Sequence, residues 1–235
     1  MRQRASSSRE RLRAAAKALF AEKGYEATSM ADVTRAAQTS HSQFLKYYSG
    51  KEELRREIID SAWAELTKAI VLASISVPSP MEKLKLAGNM LISFLESDPE
   101  FRAILLLEQT APREKGVAIA SRQFREFVAV LDDILTAMHS DGQLRKEVSV
   151  EVLRSALLGA IEGMMRHQLL NHDFAAKYSL DQVRSMLNVM IDGACDFERP
   201  EAQAVTGEAP VSSEADWIRY YLKLADRALH PSELS

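Results

Sequence analysis

Apolar residues recur at three- to four-residue spacing along most of the chain, which is the period of an amphipathic helix. Near the N-terminus the pattern comprises Leu12, Ala16, Leu19 and Phe20, and Gly24 stands where a helix commonly ends. This pattern predicts a first helix over residues 9–23. No segment alternates with the period of two that a half-buried strand requires. We therefore expect an all-α fold.

Serine-led capping patterns predict three further helix starts. In a capping box, a serine hydroxyl and an acidic or amide side chain three residues later satisfy each other's backbone groups. The pattern occurs at Ser29-Met30-Ala31-Asp32, at Ser40-His41-Ser42-Gln43 and at Ser49-Gly50-Lys51-Glu52. The helix after Ser29 is expected to end at Ala37. Three helices in so short a stretch are the size of a helix-turn-helix module.

The fourth helix is expected to be long. It begins at Lys51 and continues through Ile70, and Pro78 and Pro80 close it. The pattern then stays helical, so we predict four regions: a basic tail (residues 1–8), a helix-turn-helix domain (9–56), a larger helical domain (57–198), and a linker with a C-terminal helix (199–235).

Two wide apolar stripes late in the chain suit a pair of helices that a second subunit completes as a four-helix interface. The alternative is that both stripes face only their own core. The candidate interface residues are Leu153, Leu157, Ala160, Ile161, Met164, Val183, Leu187, Met190, Ile191 and Ala194.

The C-terminal end has a different composition. Residues 199–212 are rich in Pro, Ala, Glu, Gln and Gly, which indicates a linker. Ser213 and Asp216 can then cap a last amphipathic helix that carries Trp217, Tyr221, Leu224 and Ala228. This helix is expected to pack on the larger domain or on a partner.

Charge divides the chain in two. Residues 1–56 carry 12 Lys and Arg against 6 Asp and Glu, whereas the remainder carries 18 against 27. A basic N-terminal part joined to an acidic remainder indicates that residues 1–56 alone have a polyanionic partner. A solvated basic surface would give the same balance of charges.

Composition and the absence of certain motifs exclude several classes of protein. The 235 residues are 46% hydrophobic, enough for a full core, with no signal peptide or membrane-spanning run, so a cytoplasmic protein is expected. Cys195 is the only cysteine, which excludes an internal disulfide. No phosphate-binding glycine loop, nucleophile elbow or zinc-binding histidine motif occurs. We therefore expect no enzyme, no catalytic residues, no metal and no cofactor.

The stretch from Ser29 to Leu54, SMADVTRAAQTSHSQFLKYYSGKEEL, resembles the DNA-binding module of the TetR (tetracycline repressor) family. The resemblance covers roughly residues 9–56, from the helix that ends at Phe20 to Gly24 to the opening of the fourth helix at Lys51. Three positions depart from the family pattern. Gln38 replaces a turn glycine, Leu45 replaces an aromatic residue that touches phosphate, and Ser42 replaces another glycine.

The residues of this module also suit a DNA reader on chemical grounds. The N-terminal residues of a recognition helix lie against base edges in the major groove, where glutamine can pair with adenine. His41 and Gln43 are therefore the candidates for reading bases. Hydroxyls and charges at helix starts are expected to dock phosphates. The full candidate set is Thr28, Ser29, Arg35, Thr39, Ser40, His41, Ser42, Gln43, Lys46, Tyr47 and Lys51. The tail, with Arg2, Arg4 and Arg9 among serines, has two interpretations: it is disordered, which is favoured, or it forms an arm that reaches the minor groove.

For the larger domain, the resemblance implies a pocket for a small molecule whose binding changes the separation of two recognition helices. Aromatic and methionine residues at helical spacing are the candidates, although such residues are more often core. They are Met90, Phe94, Leu107, Phe124, Phe127, Met164, Met165 and His167.

The sequence therefore predicts a homodimeric regulator, implied to be a repressor, that an apolar or amphipathic small-molecule effector releases from double-stranded, palindromic operator DNA. Two alternatives remain. The larger domain of an architectural or partner-controlled regulator would only dimerise, or the module would have lost DNA binding through Gln38 and Leu45. A closed cavity of a few hundred cubic ångströms would distinguish a ligand-binding body from a solid one.

Overall fold

The computed structural model of the protein describes residues 7–107, 113–114, 117–118, 120–169 and 178–195. The helices in these ranges are α1 (Ser8–Lys23), α2 (Met30–Ala36), α3 (His41–Leu45), α4 (Lys51–Ser74), α5 (Pro80–Ser97), α6 (Pro99–Leu107), α7 (Arg122–Ser140), α8 (Val150–His167) and α9 (Leu180–Ala194). Two strands of two residues each, β1 (Arg113–Glu114) and β2 (Val117–Ala118), pair antiparallel. The predicted all-α fold is confirmed, and the strand pair is too short to produce a sequence period.

Serine side chains start most of these helices. Each accepts a hydrogen bond from the backbone N–H three residues later, which satisfies a group that the helix itself leaves unpaired. The capping serines are Ser7, Ser29, Ser40, Ser79, Ser121, Ser149 and Ser179. The box predicted at Ser29 and Asp32 is confirmed. The one at Ser40 is half formed, because the Gln43 amide donates to the Tyr47 hydroxyl instead of returning to the cap.

The box predicted at Ser49 with Glu52 is wrong. Gly50 is the N-cap residue of α4 and has no side-chain cap. Ser49 lies one residue outside the helix, so its backbone N–H and its hydroxyl both donate to the Glu53 carboxylate, at 2.7 and 2.8 Å. The acidic partner is therefore four residues from the serine.

Two hydrophobic cores share the helix α4. The first core joins α1, α2, α3 and the first turns of α4, and includes Phe20, Phe44 and Leu54. The second core packs the rest of α4 with α5, α7, α8 and α9. The two cores meet at α4 and α6: Ile59 of α4 packs against both, and on α6 Ile104 is buried in the first core while Phe101 is buried in the second. We call the two parts the N-terminal domain and the body.

The predicted dimer stripes face the body's own core, which corrects the interface prediction. The side chains that are buried in the single chain are Leu153, Leu157, Ile161, Val183, Leu187, Ile191 and Ala194. A residue that already fills its own core has no surface to offer a partner. Of the predicted set, Ala160, Met164 and Met190 keep partial exposure. An apolar helical stripe has the same spacing in a core as in an interface, so periodicity alone did not separate the two.

Some predictions lie outside the described residues. These are most of the basic tail (residues 1–8), the linker and C-terminal helix (199–235), and the side chain of Leu107. Within the part of the chain that is described, no helix is both long and apolar enough to cross a membrane.

Candidate functional site

The turn between α2 and α3 is closed by Gln38. Its φ is 50°, the one positive value among the described non-glycine residues. After Gln38 the chain reverses, and the N–H of Thr39 donates to the carbonyl of Thr34 at 2.9 Å. The sequence departure noted at this position therefore has a structural counterpart, because glutamine occupies a conformation that glycine adopts without steric cost.

Two aromatic side chains hold α3 against the N-terminal core. Phe44 and Tyr48 are buried, and their ring centroids are 5.6 Å apart. The opposite face of α3 is open to solvent, with Ser40, His41, Ser42 and Lys46 exposed. Leu45 is 52% exposed beside them. The helix thus presents a short polar face with one apolar side chain at its end.

Three more predicted DNA-contact residues lie at the edge of this face. Gln43, Thr39 and Tyr47 are half-buried. The Gln43 amide nitrogen donates to the Tyr47 hydroxyl across 3.2 Å. This bond holds the amide beside the exposed polar face, where rotation about one or two side-chain bonds brings it outward.

The carboxylate of Asp32 lies at the start of α2. The Asp32 carboxylate accepts from the Ser29 hydroxyl at 2.6 Å and from the Ser29 N–H at 3.1 Å. These bonds lower the pKa of Asp32, chiefly the one from the hydroxyl. Arg35, whose side chain is 77% exposed, lies 3.3 Å from the same carboxylate. Asp32 therefore already accepts from both donors of Ser29, while Arg35 adds a largely exposed cation to the same helix.

Thr28 does not lie on the surface, which corrects its assignment as a DNA contact. Its side chain is 1% exposed. The hydroxyl donates to the carbonyl of Gly24 at 2.8 Å and lies 3.3 Å from that of Leu19. Thr28 therefore closes the end of α1 rather than facing a ligand.

Lys51 is half-buried, and its ammonium group is bonded within the N-terminal domain. Its ammonium group donates to the backbone carbonyls of Tyr25, Glu26 and Thr28, at 2.9, 3.3 and 3.2 Å. It also lies 4.4 Å from the centroid of the Tyr25 ring. Three donors are all that an ammonium group has. The phosphate contact predicted for Lys51 is therefore replaced by a structural role, fastening α4 to the loop between α1 and α2.

Tyr25 completes this fastening. Its hydroxyl donates to Glu52 across 2.8 Å, and the guanidinium of Arg55 lies over its ring. Burial raises the pKa of Tyr25, and the hydrogen bond to Glu52 raises it further. The phenol consequently stays protonated and keeps donating at any physiological pH.

Arg9, considered above as part of a minor-groove arm, is paired within the domain. Its Nε and Nη2 atoms contact the two carboxylate oxygens of Glu57 at 3.1 and 2.7 Å. This two-point bond joins α1 to α4. It raises the pKa of Arg9.

The body contains a small cavity between α5, α7, α8 and α9. Leucine, isoleucine, alanine and phenylalanine side chains line it, including Leu187 and Phe127, and Gly88 lies beside Leu187. The cavity volume is about 20 Å³, which is room for about one water molecule. Of the candidate pocket residues, Phe127 alone lines this cavity, and His167 is exposed to solvent.

One charged residue borders this apolar cavity. Arg154 of α8 lines it, and its Nη1 atom contacts the two Asp132 carboxylate oxygens of α7 at 2.5 and 2.6 Å. Arg154 was not among the predicted site residues, because a single arginine on a helix gives no sequence pattern. Its place among apolar side chains depends on how α7 and α8 pack.

Aromatic contacts connect the cavity to the N-terminal domain. Phe127 lies against Trp63 of α4, with ring centroids 4.9 Å apart, and Trp63 meets Phe101 of α6 at 6.3 Å. From α6, Ile104 reaches into the N-terminal core. Asp98, whose carboxylate accepts from the N–H of Phe101, also pairs with Lys17 of α1. A continuous set of packed groups therefore runs from the cavity to α1.

Among the described residues, no group of three or more His, Cys, Asp or Glu side chains could hold a metal ion.

The exposed polar helix, its tight turn and the helical body below it define a class of protein: a helix-turn-helix transcriptional regulator. Residues 12–58 match the model of the bacterial regulatory proteins of the tetR family. The N-terminal domain is therefore a DNA-binding module of the tetR family, and the relatives that cover most of the chain are helix-turn-helix transcriptional regulators.

Individual relatives agree with this assignment. An uncharacterised helix-turn-helix regulator of Bacillus subtilis, YdgC, is 24% identical over 72% of this chain and 85% of its own. The fatty acid metabolism regulator protein of the same species is 20% identical over 76% of this chain and 91% of its own. Among solved structures, the regulator FadR of B. subtilis in complex with stearoyl-CoA superposes with a TM-score of 0.68 at 19% identity, covering 78% of this chain and 98% of that one. The structural likeness concerns the fold.

Proposed function

We propose that this regulator is a repressor that binds a roughly palindromic operator as a homodimer and leaves it when a small apolar or amphipathic effector binds the body. The observation that carries the DNA-binding part is the solvent-facing side of α3. His41, Ser42 and Lys46 are exposed there while Phe44 and Tyr48 anchor the helix from behind. A helix held in this way can enter a major groove without rearranging the core behind it.

In this proposal the residues of the face divide into two roles. His41 and Gln43 read base edges, the amide of Gln43 turning away from Tyr47 to do so. Arg35 and Lys46 contact phosphates, which positions the helix without specifying sequence. Ser29, Thr39, Ser40, Ser42 and Tyr47 line the same surface.

Dimerisation is proposed through the outward side of α8 and α9, in place of the buried stripes. Ala160, Met164 and Met190 are the predicted interface residues that retain exposure. Next to them on α8, Gly159 and Gly163 have no atom within 4 Å of where a Cβ would stand. A second helix can therefore approach this backbone closely. A two-fold pair of such bodies would place two recognition helices about 34–36 Å apart, the spacing of successive major grooves.

The effector is proposed to bind where the small cavity lies. The fatty acid regulator and the stearoyl-CoA complex among the relatives favour an amphipathic ligand with a long apolar tail. Apolar side chains line the cavity, and Arg154 at its edge would exchange its partner Asp132 for the acidic or polar head of the ligand. Because a ligand of this size needs a few hundred cubic ångströms, α5 and α9 must separate where Leu187 packs against Gly88.

A second candidate function rests on the same observation. The cavity of about 20 Å³ is far smaller than a ligand pocket. A body packed this fully also suits a regulator whose C-terminal domain only dimerises and binds no small molecule. The choice between the two depends on whether an added ligand changes DNA affinity.

Binding of the full-length protein to DNA fragments from around its own gene tests the proposal, with footprinting at low and moderate salt and excess nonspecific competitor. We expect a protected two-fold site with half-sites about one helical turn, or a multiple, apart. Gln43→Ala should relax preference at one base pair, by about 1–3 kcal/mol, while Lys46→Ala weakens binding to all sequences. Binding that competitor abolishes would contradict the proposal.

Once such a complex exists, long-chain fatty acids and their coenzyme A thioesters are titrated into it. Release by one of these, lost in Arg154→Met but retained in a control variant at the exposed Arg122, supports the effector site. If all ligands leave both DNA affinity and thermal stability unchanged, the dimerisation-only function stands.

A further inference from the structure

A patch of apolar side chains is exposed at the C-terminal end of α4. Val71, Leu72 and Ile75 are 46%, 57% and 78% exposed. Their spacing places them on one side of the last turn, and we call them the α4 tip patch. Five large hydrophobic residues are strongly exposed in the described part of the chain, and three of them are here. Single exposed apolar residues are ordinary, but a contiguous group indicates a contact surface.

The described chain ends close to this patch. Cys195, the last described residue before the C-terminal segment, lies with its sulfur 3.8 Å from that of Met81. Met81 stands at the start of α5, just after the turn that follows the patch. Asp192 pairs with Lys85 on the next turn of α5, at 2.5 Å. The segment after Cys195 therefore leaves the body at the end where the patch lies.

The remaining segment has the length and the pattern to reach the patch and cover it. Residues 196–212 can span about 55 Å when extended, at about 3.3 Å per residue, whereas Ile75 and Met81 are only six positions apart. Beyond them, the predicted C-terminal helix carries Trp217, Tyr221 and Leu224 on one side. A short amphipathic helix is marginal in water and gains its stability by burying its apolar side.

We propose that the α4 tip patch is the docking site for this chain's own C-terminal segment, residues 213–228, bound as an amphipathic helix. Tethering favours this occupant over a second copy of the chain. Two binding partners that belong to one chain meet at an effective concentration of up to millimolar order, far above that of free protein at micromolar concentration. Trp217 and Tyr221 supply large apolar area with polar groups that stay at the rim. The docked helix covers the end of α4, the helix that joins the two domains.

Tryptophan fluorescence tests the proposal in the full-length chain. Trp63 and Trp217 are the two tryptophans, and Trp63 is buried in the body. Trp63→Phe leaves Trp217 as the reporter. We expect blue-shifted emission that is protected from acrylamide, and loss of both in the added double substitution Leu72→Asp and Ile75→Asp. The matched control is Leu45→Asp, a leucine of similar exposure on α3, which should leave the emission unchanged.

The other outcomes overturn the proposal in distinguishable ways. Emission typical of a solvated indole in the parent protein means that the segment does not dock. Protection that survives the patch substitutions places the segment elsewhere. Protection that disappears on dilution assigns the patch to a second copy of the chain.

Limited trypsin digestion tests the docking independently, in protein that retains the buried Trp63. Arg219, Lys223 and Arg227 are cleavage sites within the segment. In wild-type protein they should be cleaved slowly, and the patch substitutions should make cleavage fast while Leu45→Asp does not. Equal cleavage rates in all three proteins would overturn the docking.

Discussion

The ammonium group of Lys17 on α1 pairs with the carboxylate of Asp98, the residue that opens α6. This pair lies between the N-terminal domain and the body, and Ile104 of the same helix is buried in the N-terminal core. The two parts of the molecule are thus joined by α6 as well as by the continuous helix α4. A change in the position of α6 has to move groups that α1 packs against.

Ile104→Ala tests this connection. Ile104 is 1% exposed, and removing such a side chain costs about 2–5 kcal/mol. We expect the loss to appear in the N-terminal domain, as faster amide exchange in α1, although the residue lies in α6. Its neighbour Leu105 is half-buried against the body core and provides the control. Leu105→Ala should leave exchange in α1 as it is. Equal effects of the two substitutions on α1 would contradict the connection.

Substitutions of Lys51 and Lys46 distinguish a cation that stabilises the fold from one that is proposed to bind DNA. Lys51→Met should lower the free energy of unfolding by about 1–3 kcal/mol, because three carbonyls lose a charged donor. Its effect on the salt dependence of DNA binding should be small. Lys46→Met, at an exposed position on α3, should leave thermal unfolding unchanged and reduce the salt slope by about one. Thermal melts and binding at several salt concentrations measure both effects, and a reversed result would return Lys51 to the DNA contacts.

Gln38→Gly is expected to stabilise the protein. Relief of the left-handed conformation gains about 1–2 kcal/mol, and the greater freedom of glycine in the unfolded chain offsets up to about 1 kcal/mol of this. A net gain of about 0.5–1 kcal/mol should appear in denaturant unfolding. Ala36→Gly, in the last turn of α2, is the control and should cost about 0.5–1 kcal/mol. If both glycines destabilise, the turn at Gln38 is not strained.

Features that depend on residues close together in sequence were easier to predict than contacts between distant parts of the chain. The cap at Ser29 depends on a neighbour three residues away, so the sequence indicates it, whereas Gln38 was marked only as a departure from the family's turn glycine. Lys51 looks like a surface group in sequence, yet its ammonium group bonds to carbonyls of the loop between α1 and α2, which lies more than twenty residues earlier. The same limit applies to the cavity. Arg154 meets Asp132 only because α7 and α8 pack together.

The pair of Ser49 and Glu53 makes the start of α4 sensitive to acid. Hydrogen bonds from the backbone N–H and then the hydroxyl of Ser49 lower the pKa of Glu53 in the folded state. A depressed carboxyl pKa contributes stability that is fully present above the unfolded value, about 4.3, and is lost as pH falls through the folded value. Glu53→Gln removes this contribution. We therefore expect the variant to melt at a lower temperature than wild type at pH 6, and the difference to shrink steadily as pH falls toward 3. Glu65→Gln, at an exposed position farther along the same helix, is the control and should follow the wild-type curve. A difference that stays constant with pH would mean that the hydrogen bonds from Ser49 persist whether or not the Glu53 side chain is charged, so that this pair acts through geometry and not through its charge.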